Sequence, residues 1–184
     1  MPDAQRLFVA IPVPPETREE VRGLIAGKGR RGDVDEVFVG LVGHKPVGAS
    51  RAWRFADFVW KLVATPPAHL EVYLDCASHA PRLEDEKVVL SDYIAGMSRA
   101  LAAVAARGTK VGLTILTQAG GGVYVALSAP AGRVTSAYGA EIQVLPGAAV
   151  AAILGGENPD AVPNFEAYKA AGVADEEVKL GMME

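Results

Sequence analysis

The hydrophobic and polar positions of residues 71–155 predict two strand–loop–helix units of the same design, one after the other. In the first unit, the apolar run 71–75 predicts a strand, and small residues over 76–81 predict a loop. A long helix is predicted over residues 83–107, because Gly108 follows its last periodic position and glycine commonly ends a helix there. The unit therefore presents a short loop between a buried strand and a helix.

The predicted helix over residues 83–107 has the clearest period in the sequence. Its apolar residues recur at spacings of three, four and seven, which places them on one face of a helix that must be buried. They are Leu90, Tyr93, Ile94, Met97, Leu101 and Val104.

The second unit carries a glycine-rich loop. Residues 110–117 predict an apolar strand, residues 118–122 the loop, and residues 123–129 a short apolar helix. The three glycines of this loop leave backbone N–H groups uncovered at a helix N-terminus, where donors lack partners and the dipole favours negative charge. Such a loop suits an oxyanion; alternatively, the glycines make only a tight connection.

The N-terminal part of the chain predicts a strand over residues 6–15 and an acidic-start helix over residues 16–26. Residues 27–32 are basic and rich in glycine, which predicts a mobile loop. Residues 35–42 predict a strand buried on both faces, followed by a turn at residues 43–46.

A helix is predicted over residues 51–64, because its apolar residues follow helical spacing. They are Trp53, Phe55, Ala56, Val59, Trp60 and Val63. The role predicted for both tryptophans is packing, in the core or against another subunit.

The C-terminal part predicts two short strands and three helices. The strands cover residues 133–137 and 140–145; the helices cover residues 146–155, beginning at Pro146, then 164–171, and 175–182 with Asp175 as N-cap. Because strands alternate with helices, the predicted fold class is α/β, with right-handed βαβ crossovers and a largely parallel sheet.

Composition and charge agree with one globular domain over residues 1–184. Half of the residues are hydrophobic and 22% are charged, which excludes a disordered chain. The formal net charge of -4 gives no footprint for nucleic acid, and no run approaches the ~18 apolar residues of a membrane span. A single cysteine makes no intrachain disulfide, and Met1 leads into a charged segment without a signal-peptide pattern, so we expect a cytoplasmic protein.

The order and spacing of several short motifs resemble the carboxyltransferase branch of the crotonase-like (ClpP/crotonase) superfamily, and within it the gamma subunit of malonate decarboxylase. The motifs are Leu74-Asp75-Cys76-Ala77-Ser78, Glu84-Asp85-Glu86, Arg107-Gly108-Thr109-Lys110, Ala119-Gly120-Gly121-Gly122-Val123-Tyr124, Gly132-Arg133-Val134 and Leu145-Pro146-Gly147-Ala148-Ala149. The resemblance implies a crotonase-like spiral of βαβ units, with residues 1–32 as an N-terminal strand–helix extension and residues 156–184 as a helical tail.

The resemblance also implies an activity, namely decarboxylation of a malonyl thioester carried on the phosphopantetheine-type arm of an acyl carrier. Loss of CO2 leaves an enolate, which preorganised N–H donors stabilise. Gly121 and Gly122 would supply such donors, and Ala77 and Ser78 would border the site. The implied substrate-binding residues are Gly120, Cys76 and His79, and the implied partners are a homologous beta subunit and an acyl carrier protein in a homo- or hetero-oligomer.

Two other functions remain open, a biotin-dependent carboxyltransferase subunit and a non-catalytic assembly subunit. The chain has neither a Met-Lys-Met biotinylation motif nor an acyl-carrier Asp-Ser-Leu motif, so any carrier is another chain. No cofactor is expected to bind directly.

Several side chains near the loops have simpler explanations than catalysis. Ser78 and His79 are adjacent, and sequence neighbours rarely form a nucleophile–base pair. Cys76 is predicted to be a small buried residue, and His79 a surface histidine in preference to a proton donor. The acidic run at residues 84–86 favours a helix N-terminus, and no metal site is predicted.

Overall fold

The computed structural model describes residues 18–21, 23–31, 34–80, 82–143 and 165–178. The strands are β1 (Arg18–Val21), β2 (Leu24–Arg31), β3 (Val34–Leu41), β4 (His69–Cys76), β5 (Lys110–Gly120), β6 (Arg133–Ala137), β7 (Glu141–Gln143) and β8 (Glu176–Val178). The helices are α1 (Ala49–Leu62), α2 (Leu83–Lys87), α3 (Leu90–Ala106), α4 (Gly121–Ser128) and α5 (Phe165–Ala170). None of these described helices is long and apolar enough to cross a membrane.

The eight described strands form one sheet in the order β1-β2-β3-β4-β5-β6-β8, with β7 paired to the end of β5. From β3 to β8 every pairing is parallel, so the predicted α/β class with a largely parallel sheet is confirmed. Parallel neighbours need a crossover, and α1 supplies it between β3 and β4 as α3 does between β4 and β5.

The main hydrophobic core lies between the sheet and helices α1, α3 and α4. The apolar stripe predicted for α3 is confirmed at four positions that are fully or almost fully buried, namely Leu90, Met97, Leu101 and Val104. The strands contribute residues such as Val39, Val72, Leu74, Leu113 and Ile115 from the same face of the sheet. This packing fixes the carboxyl ends of β3, β4 and β5 side by side.

The predicted helix at residues 51–64 is present as α1, but its tryptophans are not in the core of this chain. Trp53 is 55% exposed and Trp60 is 47% exposed, whereas Phe55 and Val59 are fully buried. Both tryptophans lie about a quarter turn round the helix from buried Ala52, at the border of the apolar face. Packing against another subunit stays a prediction for them.

The helix predicted over residues 16–26 and the loop predicted over residues 27–32 are wrong. Strands β1 and β2 occupy this region and form an antiparallel meander with β3, in which Leu24 pairs with Leu41 and Arg31 pairs with Val34. Ile25 is fully buried on the sheet. Pairing with β3 therefore overrides the local acidic-start and glycine-rich signals. The strand predicted over residues 6–15 lies outside the described residues.

The predicted helix over residues 83–107 is interrupted. Helix α2 ends at Lys87, and Val89 then adopts a left-handed conformation with φ 59° before α3 begins. The carboxylate of Asp85, within α2, accepts a hydrogen bond from the backbone N–H of Ala49 at 2.8 Å and contacts Arg82 Nε at 2.8 Å. The acidic run thus lies in the first turn of α2, and its Asp85 also caps the N-terminus of a different helix, α1.

The end of α3 agrees with the sequence. Gly108 has a positive φ of 98°, and its N–H bonds to the carbonyl of Ala105. Glycine adopts this conformation without the steric penalty of a side chain, which explains why the helix ends there.

The strand predicted over residues 133–137 and the helix over 164–171 are confirmed as β6 and α5, and the strand over 140–145 is the shorter β7. The helix predicted over residues 175–182 is wrong, because residues 176–178 pair with β6 as strand β8. The Asp175 carboxylate accepts the N–H of Val134 at 2.7 Å and so caps the start of this pairing, not a helix. The helix predicted from Pro146 lies outside the described residues, and the proposed domain boundaries stay a prediction.

Candidate functional site

Three parallel strands, β3, β4 and β5, end at the same edge of the sheet. The segments that follow them are residues 42–48 after β3, called here the β3 loop, residues 77–80 after β4, called the β4 loop, and residues 120–122 at the end of β5, called the glycine turn. In open parallel sheets, ligands bind in the crevice outside the carboxyl ends of the strands. This edge is therefore the candidate site.

Backbone hydrogen bonds join the β3 loop to the β4 loop. The N–H of Val47 donates to the carbonyl of Ser78 at 3.1 Å, and the N–H of Ala80 donates to the carbonyl of Val47 at 2.8 Å. Arg51, in the first turn of α1, donates from its guanidinium to the carbonyls of Lys45 at 2.8 Å and Gly23 at 2.6 Å. The two loops are thus held as one rigid rim.

Burial lowers the pKa of the Arg51 guanidinium from its ordinary value, while the nearby Cys76 and Asp75 act in the opposite direction. An arginine with such a high ordinary pKa keeps its charge, so it remains a donor to the loop carbonyls at any working pH.

The glycine turn packs directly against the β4 loop. A Cβ built on Gly120 would lie far inside the 3.0 Å that real Cβ atoms keep from a backbone oxygen, the carbonyl of Ala77. Gly121 has φ 56°, and a Cβ there would lie 2.5 Å from Ser78 Oγ. The structure therefore brings together Ala77, Ser78, Gly120 and Gly121, which the family resemblance assigns to one site.

Helix α4 begins at Gly121, with Gly120 as N-cap, and no side chain caps it. Around Gly122, which is exposed, a Cβ would meet nothing within 4 Å. The start of α4 thus combines an open approach with backbone donors of a helix N-terminus. Of the five residues predicted as a loop, Gln118, Ala119 and Gly120 belong to β5, and Gly121 and Gly122 are the first residues of α4.

Ser78 Oγ lies 3.2 Å from His79 Nδ1, within hydrogen-bonding distance. The contact between these sequence neighbours is one that the sequence argued against. It is local, however, and the pair has no third group recorded behind the imidazole among the described residues. A nucleophile–base–orienter arrangement is therefore not formed here.

Cys76 is fully buried, as predicted, and its thiol donates to the carbonyl of Ser78 at 3.0 Å. Burial raises the pKa of this thiol above its ordinary value, while backbone hydrogen bonding at Ser78 and the charge of Arg51 oppose the shift. A neutral, enclosed thiol is a poor nucleophile. Cys76 stands behind the β4 loop, and its role in substrate binding stays a prediction.

A second polar cluster at this edge was missed by sequence reasoning. His44 Nδ1 lies 3.1 Å from Asp75 Oδ1, and Asp75 Oδ2 accepts the N–H groups of Gly43 at 3.1 Å and His44 at 3.2 Å. Thr117 donates its hydroxyl to the same carboxylate, and Gln118 Nε2 lies 2.8 Å from His44 Nδ1. The only sequence signal was the position of Asp75 at the end of an apolar strand.

A bulge in β5 aims this cluster. Leu74 pairs with Ile115, but Cys76 pairs with Ala119. A step of two residues along β4 therefore lies opposite a step of four residues along β5. The extra residues of β5 direct Thr117 towards Asp75 and Gln118 towards His44. Bulges commonly re-aim side chains in this way beside active sites.

The opposite edge of the sheet carries a cavity of about 590 Å³. It is lined by residues at the amino ends of the strands, including His69, Lys110 and Arg133, and by the buried carboxylate of Glu71. None of the predicted site residues lines it. We place the chemistry at the carboxyl edge, because the donors and the imidazole lie there and a site shared between subunits need not be enclosed by one chain.

In the part of the chain that the structure describes, no group of three or more His, Cys, Asp or Glu side chains is placed to hold a metal ion.

No family model matches the sequence, and no curated protein is significantly similar to it. Solved structures do match. A chain of a Pseudomonas malonate decarboxylase hetero-tetramer in complex with coenzyme A has a TM-score of 0.80 at 15% identity, over 96% of this chain and 78% of that chain. Transcarboxylase 12S, in a structure with hydrolysed methylmalonyl-coenzyme A bound, has a TM-score of 0.79 at 18% identity, over 96% of this chain.

The beta subunit of Pseudomonas aeruginosa geranyl-CoA carboxylase is also similar, with a TM-score of 0.65 at 14% identity over 83% of this chain. This chain spans only 38% of the transcarboxylase chain and 30% of the carboxylase chain. The TM-scores of 0.65 to 0.80 establish a common fold, and the chain therefore has the crotonase-like fold of these enzyme subunits.

Proposed function

We propose that this protein is a subunit of a malonate decarboxylase that acts on a malonyl thioester carried on the phosphopantetheine-type arm of an acyl carrier. The observation that carries the proposal is the contact between the glycine turn and the β4 loop at the uncapped start of α4. It occurs in a fold shared with a malonate decarboxylase chain that was crystallised with coenzyme A, which bears the same arm.

The chemistry needs little from side chains. When the bond between C2 and the carboxylate of a malonyl thioester breaks, CO2 leaves and the electron pair passes into an enolate, whose charge sits on the thioester oxygen. The N–H groups of Gly121 and Gly122 would point at that oxygen, and the dipole of α4 would favour its charge. Loss of one such donor in other enzymes costs about 3 kcal/mol, a hundredfold or more in rate.

The β4 loop would form the wall beside the thioester. Gly120 leaves room for the carbonyl of Ala77, and Gly121 leaves room for the hydroxyl of Ser78. These contacts hold the turn in one conformation before substrate arrives. Preorganised donors of this kind act most strongly on charge that develops in the transition state.

A second candidate is a biotin-dependent carboxyltransferase subunit. It is favoured by the match to transcarboxylase 12S, whose TM-score of 0.79 is nearly equal to that of the malonate decarboxylase chain. The same donors would serve, since transfer of a carboxyl group also passes through a thioester enolate. The third hypothesis is a non-catalytic assembly subunit.

Partner subunits are part of the proposal. One malonate decarboxylase match is a hetero-tetramer and another is a hetero-dimer, with a TM-score of 0.78. We expect this chain to assemble with a homologous beta subunit or with itself, and the exposed Trp53 and Trp60 on α1 are the first residues to test in that contact.

The test is an assay of CO2 and acetyl-thioester formation from malonyl-coenzyme A and malonyl carrier protein, with and without the copurified partner. Biotin and avidin are added in parallel. Turnover that avidin does not inhibit supports the decarboxylase; turnover that requires biotin and is lost with avidin supports the carboxyltransferase. If the assembled complex turns over neither substrate, the assembly-subunit reading replaces both.

A further inference from the structure

The imidazole of His44 is held by a buried carboxylate at the carboxyl edge of the sheet. The Asp75 side chain is 4% exposed and the His44 side chain is 40% exposed. Asp75 Oδ1 lies 3.1 Å from His44 Nδ1 and Asp75 Oδ2 accepts the His44 N–H, so one carboxylate contacts both the ring and the backbone that carries it. His44 adopts a left-handed conformation, φ 54°, which is uncommon for residues other than glycine.

Both polar contacts of the His44 ring are at Nδ1, with Asp75 Oδ1 3.1 Å away and Gln118 Nε2 2.8 Å away. An ionised carboxylate accepts hydrogen bonds and cannot donate them, so the contact with Asp75 favours a proton on Nδ1. Nε2 has no recorded hydrogen-bond partner among the described residues, and it lies on a ring that is partly open to solvent. Nε2 is therefore the nitrogen available to a ligand.

The glycine turn lies at the same edge of the sheet as this ring. Gln118, whose side chain contacts His44 Nδ1, precedes the glycine turn on β5. The β3 loop that carries His44 is tied to the β4 loop through Val47.

We propose that His44 is the proton donor to C2 of the enolate, with Asp75 as its positioning residue. The inference rests on the proposed function, because the enolate is the substrate of this step. The Nε2–H bond breaks, the proton goes to C2, and the electron pair left by CO2 becomes the new C–H bond. The imidazole is then neutral and takes its next proton from water, while the Asp75 carboxylate holds the position of the ring.

The same pair works in reverse on the product. Neutral Nε2 removes a proton from C2 of an acetyl thioester, and the glycine turn stabilises the resulting enolate. In heavy water this exchange places deuterium in the acetyl methyl group without any decarboxylation. Exchange therefore reports on His44 separately from CO2 release.

His79 is the competing histidine. Its Nδ1 lies 3.7 Å from the Cβ position of Gly121, so it is near the turn, but that nitrogen contacts the hydroxyl of Ser78 and not a carboxylate. A hydroxyl can donate as well as accept, so it does not select one tautomer. His69 lies at the opposite edge, against the cavity there, and serves as the matched control.

The experiment uses the parent and His44→Gln, His44→Asn, Asp75→Asn, His79→Gln and His69→Gln, each as the full chain with its copurified partner. Proton NMR follows deuterium entry into acetyl-coenzyme A, and a second assay follows CO2 release from malonyl-coenzyme A. Nitrogen-15 NMR of the parent and Asp75→Asn identifies the protonated ring nitrogen of His44. The asparagine variant preserves the left-handed backbone, which asparagine tolerates, if glutamine disturbs folding.

We expect both His44 variants to lose exchange by at least about 100-fold, with a smaller loss of CO2 release, because breaking the C–C bond needs the donors and not the imidazole. His69→Gln should exchange like the parent, and His79→Gln should lose less than His44→Gln. The parent should carry its proton on Nδ1, and Asp75→Asn should change that tautomer distribution and slow exchange.

Deuterium exchange within threefold of the parental rate in folded His44 variants overturns the assignment of His44. A loss of exchange in His79→Gln that exceeds the loss in His44→Gln also overturns it. A parent in which His44 carries its proton on Nε2 alone overturns it as well. A parent that releases CO2 while His44 variants exchange normally refutes this inference alone. A parent that exchanges deuterium through His44 but releases no CO2 refutes decarboxylation and supports proton transfer at C2 by His44 with Asp75 as its positioning residue. Absence of both activities in the parent refutes both.

Discussion

Alanine substitutions in the glycine turn should separate stability from activity. Gly120→Ala should destabilise the fold, whereas Gly122→Ala should slow turnover without destabilising the fold. At Gly120 a Cβ would collide with the carbonyl of Ala77 and also approach the carbonyl of Gln143 at 3.0 Å. Both obstacles are backbone atoms, which cannot rotate away. At Gly122 a Cβ meets nothing within 4 Å, so alanine fits without any movement.

The expected magnitudes follow from these surroundings. Gly120→Ala must displace the β4 loop or β5, and overpacking of this kind costs about 3 kcal/mol, a large part of a typical stability of 5–15 kcal/mol. Gly121→Ala should cost about 1–2 kcal/mol for its left-handed φ, and it should also move the Ser78 hydroxyl. Gly122→Ala lies in the first turn of α4 and should be neutral or stabilising by up to about 1 kcal/mol, as alanine favours a helix.

Urea unfolding at 25 °C measures these differences, with turnover of malonyl-coenzyme A measured on the same samples. A loss of 3 kcal/mol lowers the urea midpoint by at least about 1 M for ordinary slopes. Gly122→Ala should keep the parental midpoint yet lower the rate constant for turnover, because its methyl group crowds the donors and not the core. A Gly120→Ala protein as stable as the parent would refute the packing argument, and a fully active Gly122→Ala protein would refute the placement of the enolate.

Three further outcomes are expected. Asp85→Ala should lower the free energy of unfolding by about 1–2 kcal/mol in urea unfolding, because it removes the cap of α1, and exposed Glu84→Ala should change it by less than about 0.5 kcal/mol; equal effects would contradict the cap. Val89→Asn should raise the free energy of unfolding by about 1 kcal/mol, and the melting temperature with it, because asparagine tolerates the left-handed conformation of Val89 better than valine does. Val88 has φ −97°, so Val88→Asn should not raise the melting temperature. Cys76 should react with iodoacetamide only on unfolding, and rapid labelling of the native protein would contradict its burial. Because the pKa of Cys76 is raised in the folded state, the free energy of unfolding should fall as the pH rises above the ordinary thiol value near 9, and it should fall less in Cys76→Ala.

The sequence by itself determined the central part of the fold. Apolar runs bounded by small-residue loops specified β4, β5 and β6, and the helical period specified α1 and α3. Gly108 marked the end of α3. These features are local, because a helix or a buried strand is encoded by the spacing of its own residues. The residues of the glycine turn and the β4 loop were assigned to one site by the resemblance of their motifs to carboxyltransferases, and the contact between them is seen in the tertiary structure.

Only the tertiary structure decided the features that depend on a distant partner. Residues 24–31 became a strand because β3 offers an unpaired edge, and residues 176–178 became one because β6 does. Asp85 caps a helix, α1, that begins 36 residues earlier in the chain.

His44 and Asp75 illustrate the same limit at the site. They are 31 residues apart, and they meet because β3 and β4 are parallel neighbours. A bulge in β5 then directs Thr117 towards the carboxylate and Gln118 towards the imidazole. No spacing within one element encodes such a meeting. It depends on strand order, register and the direction of each side chain, which are settled when the sheet assembles.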